Sequence, residues 1–296
     1  MASASTAGET GTAESSIRLL IVLGSPRGRA GNTAELAQLI EAGMKACAVV
    51  ESDYLFLNEI PLPDCADRSL CVSHGIASCP QREIVEPLLA RLQRAHVIVL
   101  ASPVYCDSTT ALMKRFIEHL VSLVHRPCLH EKHGFILSTC GGRAGLNVHL
   151  MREAARCWGV HVLGGIDVKM AAYASSPGYR NRITRALSGA GRDLFAACRA
   201  RVRPAPTLGE LVWFQFWRAV VKFERRELPS LDYQHWSENG WLDQPFYRSG
   251  RVSALKLLLA RIIVLSRLVR AAVEIHGWSF LLGGRARNTA AVSKRG

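Results

Sequence analysis

The chain has 296 residues, 49% of them hydrophobic, which is enough for one large domain or for a core domain with an appendage. Its net charge of +13 suits anionic cofactors or surfaces, but no zinc-finger spacing or aromatic RNA-binding motif supports a nucleic-acid partner. Nine cysteines in a chain of this length do not form a disulfide scaffold, and they favour reduced thiols in a cytoplasmic protein.

Residues 1–16 are mainly Ser, Thr, Ala, Gly and Glu, and they offer almost nothing to pack. This composition predicts a disordered tail. The segment has no basic region followed by an apolar run, so it is not expected to be a signal peptide.

Short apolar runs then alternate with amphipathic stretches as far as residue 170. The predicted strands are 17–23, 49–57, 96–101, 134–138 and 161–168, and the predicted helices are 34–46, 83–94, 110–124 and 146–158. This alternation predicts a doubly wound α/β fold with a five-stranded parallel sheet of order 2-1-3-4-5. In such a sheet a ligand binds at the carboxyl ends of strands 1 and 3.

Small and hydroxylated residues fill positions 24–33, between the first strand and the first helix. Backbone N–H groups at a helix start bind anions, and the hydroxyls of Ser25 and Thr33, with Arg27 or Arg29, can add to them. Neither a P-loop lysine motif nor the Gly-x-Gly-x-x-Gly pattern of dinucleotide sites is present. The stretch therefore favours a mononucleotide phosphate over an ordinary capped turn.

Two further loops are expected at the same edge of the sheet. Residues 102–106 read Ser-Pro-Val-Tyr-Cys, a proline-stiffened turn whose tyrosine can flank a flat ring. Residues 138–143 read Ser-Thr-Cys-Gly-Gly-Arg, and paired glycines let the backbone approach a ligand closely. Either loop alone is also typical of an ordinary turn, whereas the combination favours a shared ligand.

The alternation stops after about residue 175. Three helices are predicted beyond it, at 181–202, 208–226 and 252–275, with an aromatic, turn-rich segment before the last one. That last helix carries four cations, which argue against a membrane span: Lys256, Arg261, Arg267 and Arg270. Packing on the domain or on a partner subunit is favoured over peripheral membrane contact through 252–275.

The combined motifs carry a family resemblance. The pattern Gly-Ser-Pro-Arg-x-x-x-Gly-Asn-Thr, followed by Ser-Pro-Val-Tyr with Lys-x-Phe nine residues after the Tyr, resembles the NADPH-dependent FMN reductase and iron–sulfur flavoprotein branch of the flavodoxin-like superfamily. The resemblance covers roughly residues 17–170. The family's Lys-x-Phe-Ile-Asp-Arg helix reads Lys-Arg-Phe-Ile-Glu-His here, at 114–119, which puts the family's salt bridge on that helix in doubt.

The resemblance implies a flavodoxin-like, FMN-binding domain at 17–175. The sequence beyond it predicts a helical, aromatic-rich extension at 176–285 and a disordered tail at 286–296. It implies that the FMN phosphate is held by Ser25, Arg27, Gly31, Asn32 and Thr33. It implies that the isoalloxazine ring is bordered by Ser102, Pro103, Val104, Tyr105, Cys106, Thr139, Gly141 and Gly142. No catalytic side chain is implied, because the chemistry occurs on FMN.

Three cysteines lie between the second strand and the next long helix: Cys65, Cys71 and Cys79. The iron–sulfur members of the resembled family carry four cysteines here, whereas Arg68 stands where the second would be. A four-iron cluster is held by four thiolates, and the three cysteines with His74 could instead form a Cys3His zinc set. The favoured interpretation is that they bind no metal.

The resemblance therefore implies an oxidoreductase in which NAD(P)H reduces bound FMN. The electrons would pass to a small acceptor such as a quinone, a nitro compound, a flavin or a metal ion, and a homodimer is expected. Two alternatives stay open: an FMN electron carrier without NAD(P)H activity of its own, and a non-enzymatic flavodoxin-like module tethered to a membrane or a partner.

Overall fold

The computed structural model describes residues 16–66, 70–142, 146–200, 205–224, 230–247 and 252–276. The chain divides near residue 201 into two compact units, called unit 1 and unit 2 in chain order. The expectations for tails at 1–16 and 286–296 lie outside the described residues, apart from residue 16.

Unit 1 contains a five-stranded parallel sheet in the order β2-β1-β3-β4-β5. The strands are β1 (Ile17–Leu23), β2 (Val50–Phe56), β3 (Val97–Pro103), β4 (His133–Cys140) and β5 (His161–Lys169). The three inner strands β1, β3 and β4 are almost completely buried, as expected for apolar runs covered on both faces. The predicted doubly wound, flavodoxin-like topology is confirmed.

Helices of unit 1 cover both faces of this sheet. They are α1 (Asn32–Lys45), α2 (Leu70–Ser73), α3 (Arg82–Arg94), α4 (Ala111–His119), α5 (Ser122–His125), α6 (Asn147–Cys157), α7 (Met170–Ser175) and α8 (Pro177–Arg199). Alternate residues of β1 serve the two faces: Leu19 and Ile21 pack on the side of α1 and α8, and Leu20 and Val22 on the side of α3, α4 and α6.

Helix α8 belongs to unit 1, although the sequence assigned it to the extension. It packs directly against α1, since a side chain at Gly43 would overlap the Ser188 backbone and one at Gly191 would overlap the Ile40 backbone. Buried Ile183 and Leu187 of α8 complete the core on that side of the sheet. The first compact unit therefore extends to about residue 201 and includes the first helix of the predicted extension.

Two predicted elements of unit 1 differ in ways that affect the site. The helix expected over 110–124 is broken, because α4 ends at His119 and α5 begins at Ser122. Strands β3 and β4 both run two residues further than predicted. Ser102 and Pro103 pair in register with Ser138 and Thr139, which extends the sheet to the loops that follow.

Unit 2 contains α9 (Leu208–Glu224), α10 (Leu231–Glu238) and α11 (Ala254–His276). The sequence did not predict α10, which begins where the Ser230 hydroxyl accepts a hydrogen bond from the Tyr233 backbone N–H at 3.1 Å. Five aromatic rings pack together around Phe214 as the core of this unit: Phe214, Trp236, Trp241, Phe246 and Tyr247. Among the described helices none is long and apolar enough to cross a bilayer.

Candidate functional site

Three loops meet at the carboxyl ends of β1, β3 and β4. They are called loop 1 (residues 24–31), loop 2 (104–110) and loop 3, of which Gly141 and Gly142 are described. The Gly24 backbone N–H donates to the Ala101 carbonyl at 2.8 Å, and the Val104 N–H donates to the Thr139 carbonyl at 2.7 Å. The first bond joins the end of β1 to β3, and the second joins the end of β3 to β4. The three stretches predicted to bind a ligand therefore lie along the carboxyl edge of the sheet.

Loop 1 forms a small cradle at the start of α1. The Ser25 carbonyl accepts from the Gly28 N–H at 3.0 Å, and the Ser25 hydroxyl accepts from the Arg27 N–H at 3.3 Å. The backbone N–H groups of Asn32 and Thr33 begin the helix, where no helical carbonyl precedes them. A Cβ at Gly31 would lie only 2.9 Å from the Ser25 hydroxyl oxygen, so glycine keeps the cradle open.

Some of the side chains predicted to hold the phosphate are buried, and others are exposed. Ser25 and Thr33 are buried, and the Thr33 hydroxyl lies 2.8 Å from that of Thr139. Arg27 and Asn32 are exposed at the rim. Arg29, an alternative to Arg27 in the sequence, instead makes two hydrogen bonds to Glu59 and stacks over the Phe56 ring at 4.3 Å. Arg27 is therefore the better placed of the two to meet an anion at the cradle.

Hydroxyl groups hold the base of loop 2 to β1. The Thr110 hydroxyl caps α4 by accepting from the Met113 N–H at 3.2 Å, and it donates to the Gly24 carbonyl at 2.6 Å. Ser102 is completely buried, and its hydroxyl accepts from that of Thr109 at 3.1 Å. Ser102 thus supports the loop from below, whereas the sequence placed it beside the ring.

The tip of loop 2 is a closed two-residue turn. The N–H groups of Tyr105 and Ser108 each donate to the other residue's carbonyl, at 2.9 and 3.0 Å. Between them Cys106 and Asp107 have φ angles of 50° and 57°, a left-handed conformation that non-glycine residues seldom adopt. The turn presents the Tyr105 ring, which is 50% exposed, at the mouth of the site.

Loop 3 leaves space beside this mouth. A Cβ added at Gly141 or Gly142 would have no described atom within 4 Å. The adjoining Cys140 is buried, and burial together with the nearby Asp167 carboxylate raises the pKa of its thiol. Arg143 lies outside the described residues.

One supporting residue was missed by the sequence analysis. Asn147, the first residue of α6, is completely buried, and its side-chain amide donates to the Ser102 carbonyl at 2.9 Å and to the Ser138 hydroxyl at 3.0 Å. It therefore ties the ends of β3 and β4 together beneath loops 2 and 3. The available signal was an asparagine at the start of a predicted helix that follows a glycine-rich loop.

The connection that contains the three cysteines is fixed by basic side chains of α4 and the segment after α5. Arg115 donates to the Leu62 carbonyl and pairs with Asp64, and Arg126 donates to the Cys71 and Val72 carbonyls. His119 lies 2.8 Å from the Pro63 carbonyl. On α4 itself, Lys114 pairs with Glu118 at 2.6 Å, so a salt bridge is present there.

Cys65, Cys71 and Cys79 lie near one another in this connection. Burial raises the pKa of the Cys71 thiol, and the proximity of Cys79 and Cys65 raises it further. Within the described ranges, no group of three or more His, Cys, Asp or Glu side chains is arranged to hold a metal ion. The expectation that these cysteines bind no metal stays a prediction.

The arrangement at the three loops fits FMN. A phosphate dianion suits a cradle of helix-start N–H groups that glycine keeps open. A flat ring suits an exposed tyrosine beside paired glycines with space around them.

Comparison with known proteins supports the same assignment. The chain is 25% identical over 225 residues to an iron–sulfur flavoprotein of Archaeoglobus fulgidus, a match that covers 75% of this chain and 98% of the relative. It shares its fold with an azoreductase of Bacillus anthracis str. Sterne, at 12% identity and a TM-score of 0.51, over 60% of this chain and 99% of the other. The family model for NADPH-dependent FMN reductases matches residues 17–175. The chain therefore belongs to the NADPH-dependent FMN reductase family, oxidoreductases that use FMN as cofactor and NAD(P)H as electron donor.

Proposed function

We propose that this protein binds FMN across loops 1, 2 and 3 and passes electrons from NAD(P)H to a small acceptor such as a quinone, a nitro compound, a free flavin or a metal ion. The observation that carries the proposal is the junction of the three loops. Backbone hydrogen bonds from Gly24 to Ala101 and from Val104 to Thr139 join a helix-start cradle to an open, glycine-lined space.

Loop 1 would hold the phosphate. The N–H groups of Asn32 and Thr33 donate at the positive end of α1, and Arg27 at the rim adds a full charge. Ser25 shapes the cradle through its contacts with Gly28 and Arg27. Gly31 contributes by having no side chain.

Loops 2 and 3 would position the ring. Pro103 and Val104 form a firm floor, because Pro103 lies in the sheet and the Val104 N–H is bonded to Thr139. Tyr105 flanks the ring, and Gly141 and Gly142 admit it closely. When bound, FMN supplies the two-electron chemistry, in which it accepts a hydride equivalent and passes two electrons on.

Half of the Tyr105 side chain is exposed, so the donor and then a small acceptor would approach from the solvent side of loop 2. Such exposure suits an acceptor that enters from solvent better than a substrate that is enclosed by the protein. The relative of Archaeoglobus fulgidus is named for an iron–sulfur centre, but the proposal assigns no electron-transfer step to Cys65, Cys71 or Cys79. The homodimer and the cytoplasmic location stay predictions.

The proposal is tested by adding FMN to the purified protein and then NADPH or NADH without oxygen. We expect the oxidised-flavin absorbance to be retained through gel filtration and to bleach on addition of the nucleotide. Bound FMN that neither nucleotide bleaches would identify an electron carrier instead. A protein that takes up no FMN would contradict both functions.

Gly31→Ala tests the cradle itself. Its methyl group would crowd the Ser25 hydroxyl, and a loss of about 1.4 kcal/mol in binding corresponds to a tenfold weaker Kd for FMN. Gly189→Ala is the matched control, because its methyl group meets only open space beside Arg192. Equal FMN affinity in the two variants would place the phosphate elsewhere.

A further inference from the structure

Helix α11 has two apolar faces, of which only one is covered. On one face Ala260 and Val264 are buried, and the helix lies against α9. The opposite face carries six exposed aliphatic side chains, called the aliphatic ridge: Leu255, Leu258, Leu259, Ile262, Leu265 and Val269. Their exposure ranges from 37% at Val269 to 67% at Leu255, so the packing within unit 2 leaves them uncovered.

The ridge is continuous along the helix. Its members are three or four residues apart, which places them in one stripe over about four turns of the helix. The buried Ala260 and Val264 lie on the other side of the helix axis at 100° per residue. Single exposed apolar residues need no explanation, but a contiguous apolar stripe marks an interaction surface.

Cations flank the ridge on both sides. Lys256, Arg267 and Arg270 lie along one flank of the helix, and Arg261 lies along the other. From residue 254 to residue 271 the sequence contains no Asp or Glu. The sequence after the helix, 277–296, adds four more Lys or Arg and again no acidic residue.

The cations beside the ridge indicate what kind of partner can cover it. A second copy of the chain would bring the same cations to the same face, and like charges at an interface are unfavourable. An anionic lipid surface offers both requirements at once, because acyl chains accept the ridge while phosphate groups meet the cations beside it. A protein partner would need an apolar groove lined on both rims by carboxylates, a more demanding match than an anionic lipid surface.

We propose that α11 docks the protein on an anionic membrane surface and lies in the plane of that surface. The aliphatic ridge enters the boundary between headgroups and acyl chains, and the flanking cations stay at the level of the phosphates. The four cations within the helix, together with the absence of a described helix able to cross a bilayer, keep it at the interface. The assignment does not depend on FMN chemistry, since it rests on unit 2 alone.

The test is flotation of the full chain with vesicles. We expect binding to vesicles of phosphatidylglycerol and phosphatidylcholine, and little binding to vesicles of phosphatidylcholine alone. Ile262→Glu should weaken partitioning about tenfold or more, because it removes an aliphatic group from the acyl boundary and adds a repelled charge. Val49→Glu is the matched control, since Val49 is 79% exposed in unit 1 and should leave partitioning unchanged.

Two charge-removing substitutions test whether the phosphate groups of the lipid contribute to binding. Lys256→Gln and Arg267→Gln should each weaken binding to the anionic vesicles roughly fivefold at low salt, and added salt should reduce that difference. Unchanged circular dichroism and an unchanged melting temperature of Ile262→Glu would show that the variant is folded, as its exposure leads us to expect.

Three results would overturn the proposal. One is failure of the wild-type chain to float with the anionic vesicles. Another is equal flotation of Ile262→Glu and the wild type. The third is a vesicle-free dimer that Ile262→Glu converts to a monomer, which would show that the ridge is an interface between copies of the chain.

Discussion

Unit 1 and unit 2 solve the same problem, the burial of apolar surface, by different means. In unit 1 a parallel sheet is covered on both faces, and β1, β3 and β4 are buried almost residue by residue. In unit 2 one aromatic cluster around Phe214 forms the core, and the aliphatic ridge of α11 stays exposed. Because helices cover both faces of the sheet in unit 1, the loops at its carboxyl edge are the surface available to a cofactor. In unit 2 the aliphatic ridge of α11 is instead available to a large partner.

The largest expected effect is on unit 2. Phe214→Ala removes the ring that contacts Trp236, Phe246 and Tyr247, and such a truncation costs about 3–5 kcal/mol in free energy of unfolding. We expect calorimetry to show unit 2 melting at a much lower temperature while FMN affinity is retained. A tenfold or larger loss of FMN affinity in this variant would contradict the expectation that unit 1 binds FMN without the aromatic core of unit 2.

The next effect tests whether α8 belongs to unit 1. Gly191→Ala forces a methyl group against the Ile40 backbone and should destabilise unit 1 by about 2–3 kcal/mol. The same substitution two residues earlier, Gly189→Ala, meets open space and should stabilise the helix by about 0.5–1 kcal/mol. Urea titrations that place both variants on the same side of the wild type would contradict this packing.

A smaller effect is expected at the support of the site. Asn147→Ala leaves the Ser102 carbonyl and the Ser138 hydroxyl without their buried donor, at a cost on the order of 1 kcal/mol. Because these groups lie at the ends of β3 and β4, FMN affinity should fall along with stability. Gly189→Ala again serves as the control, and a variant that loses stability but keeps full FMN affinity would limit Asn147 to a structural role.

The smallest effect concerns acid stability. Burial acts to raise the pKa of Glu41, but the hydrogen bond from Tyr54 and the ion pair with Lys45 outweigh it and lower that pKa below the usual 4.5. The stabilisation is thus complete above pH 4.5 and is lost as the pH falls through the lowered value. Unfolding midpoints measured between pH 3 and 6 should fall more steeply for the wild type than for Glu41→Gln. Parallel curves would show that Glu41 is not a source of acid lability in unit 1.

Much of unit 1 could be predicted because its signals are local. The apolar run Leu19–Leu23 predicts a buried strand, and all five of its residues are buried in β1. The motif residues around Gly31 and Tyr105 follow strand ends, so a correct topology brings them to one edge. The role of Asn147 was not predicted, because its hydrogen-bond partners Ser102 and Ser138 belong to two other elements. Sequence spacing does not show that these three residues meet.

In unit 2 the prediction was less complete. The aromatic segment after α9 was expected to be irregular, but part of it forms α10, whose short turn of Asp, Tyr, Gln and His carries a weak helical pattern. Its stability comes from Trp236 packing on Phe214 and Trp241. Tertiary contacts of this kind routinely override local propensity.

The parallel sheet, its strand order and the three loop motifs at its edge could all be predicted, because hydrophobic periodicity and strand–helix alternation are properties of residues close in the chain. Tertiary structure decided which partner each exposed group meets. It drew Arg29 to Glu59 and left Arg27 at the cradle, and it added α8 to unit 1. It also left the ridge of α11 uncovered, since helical periodicity reveals an apolar stripe but not what packs against it.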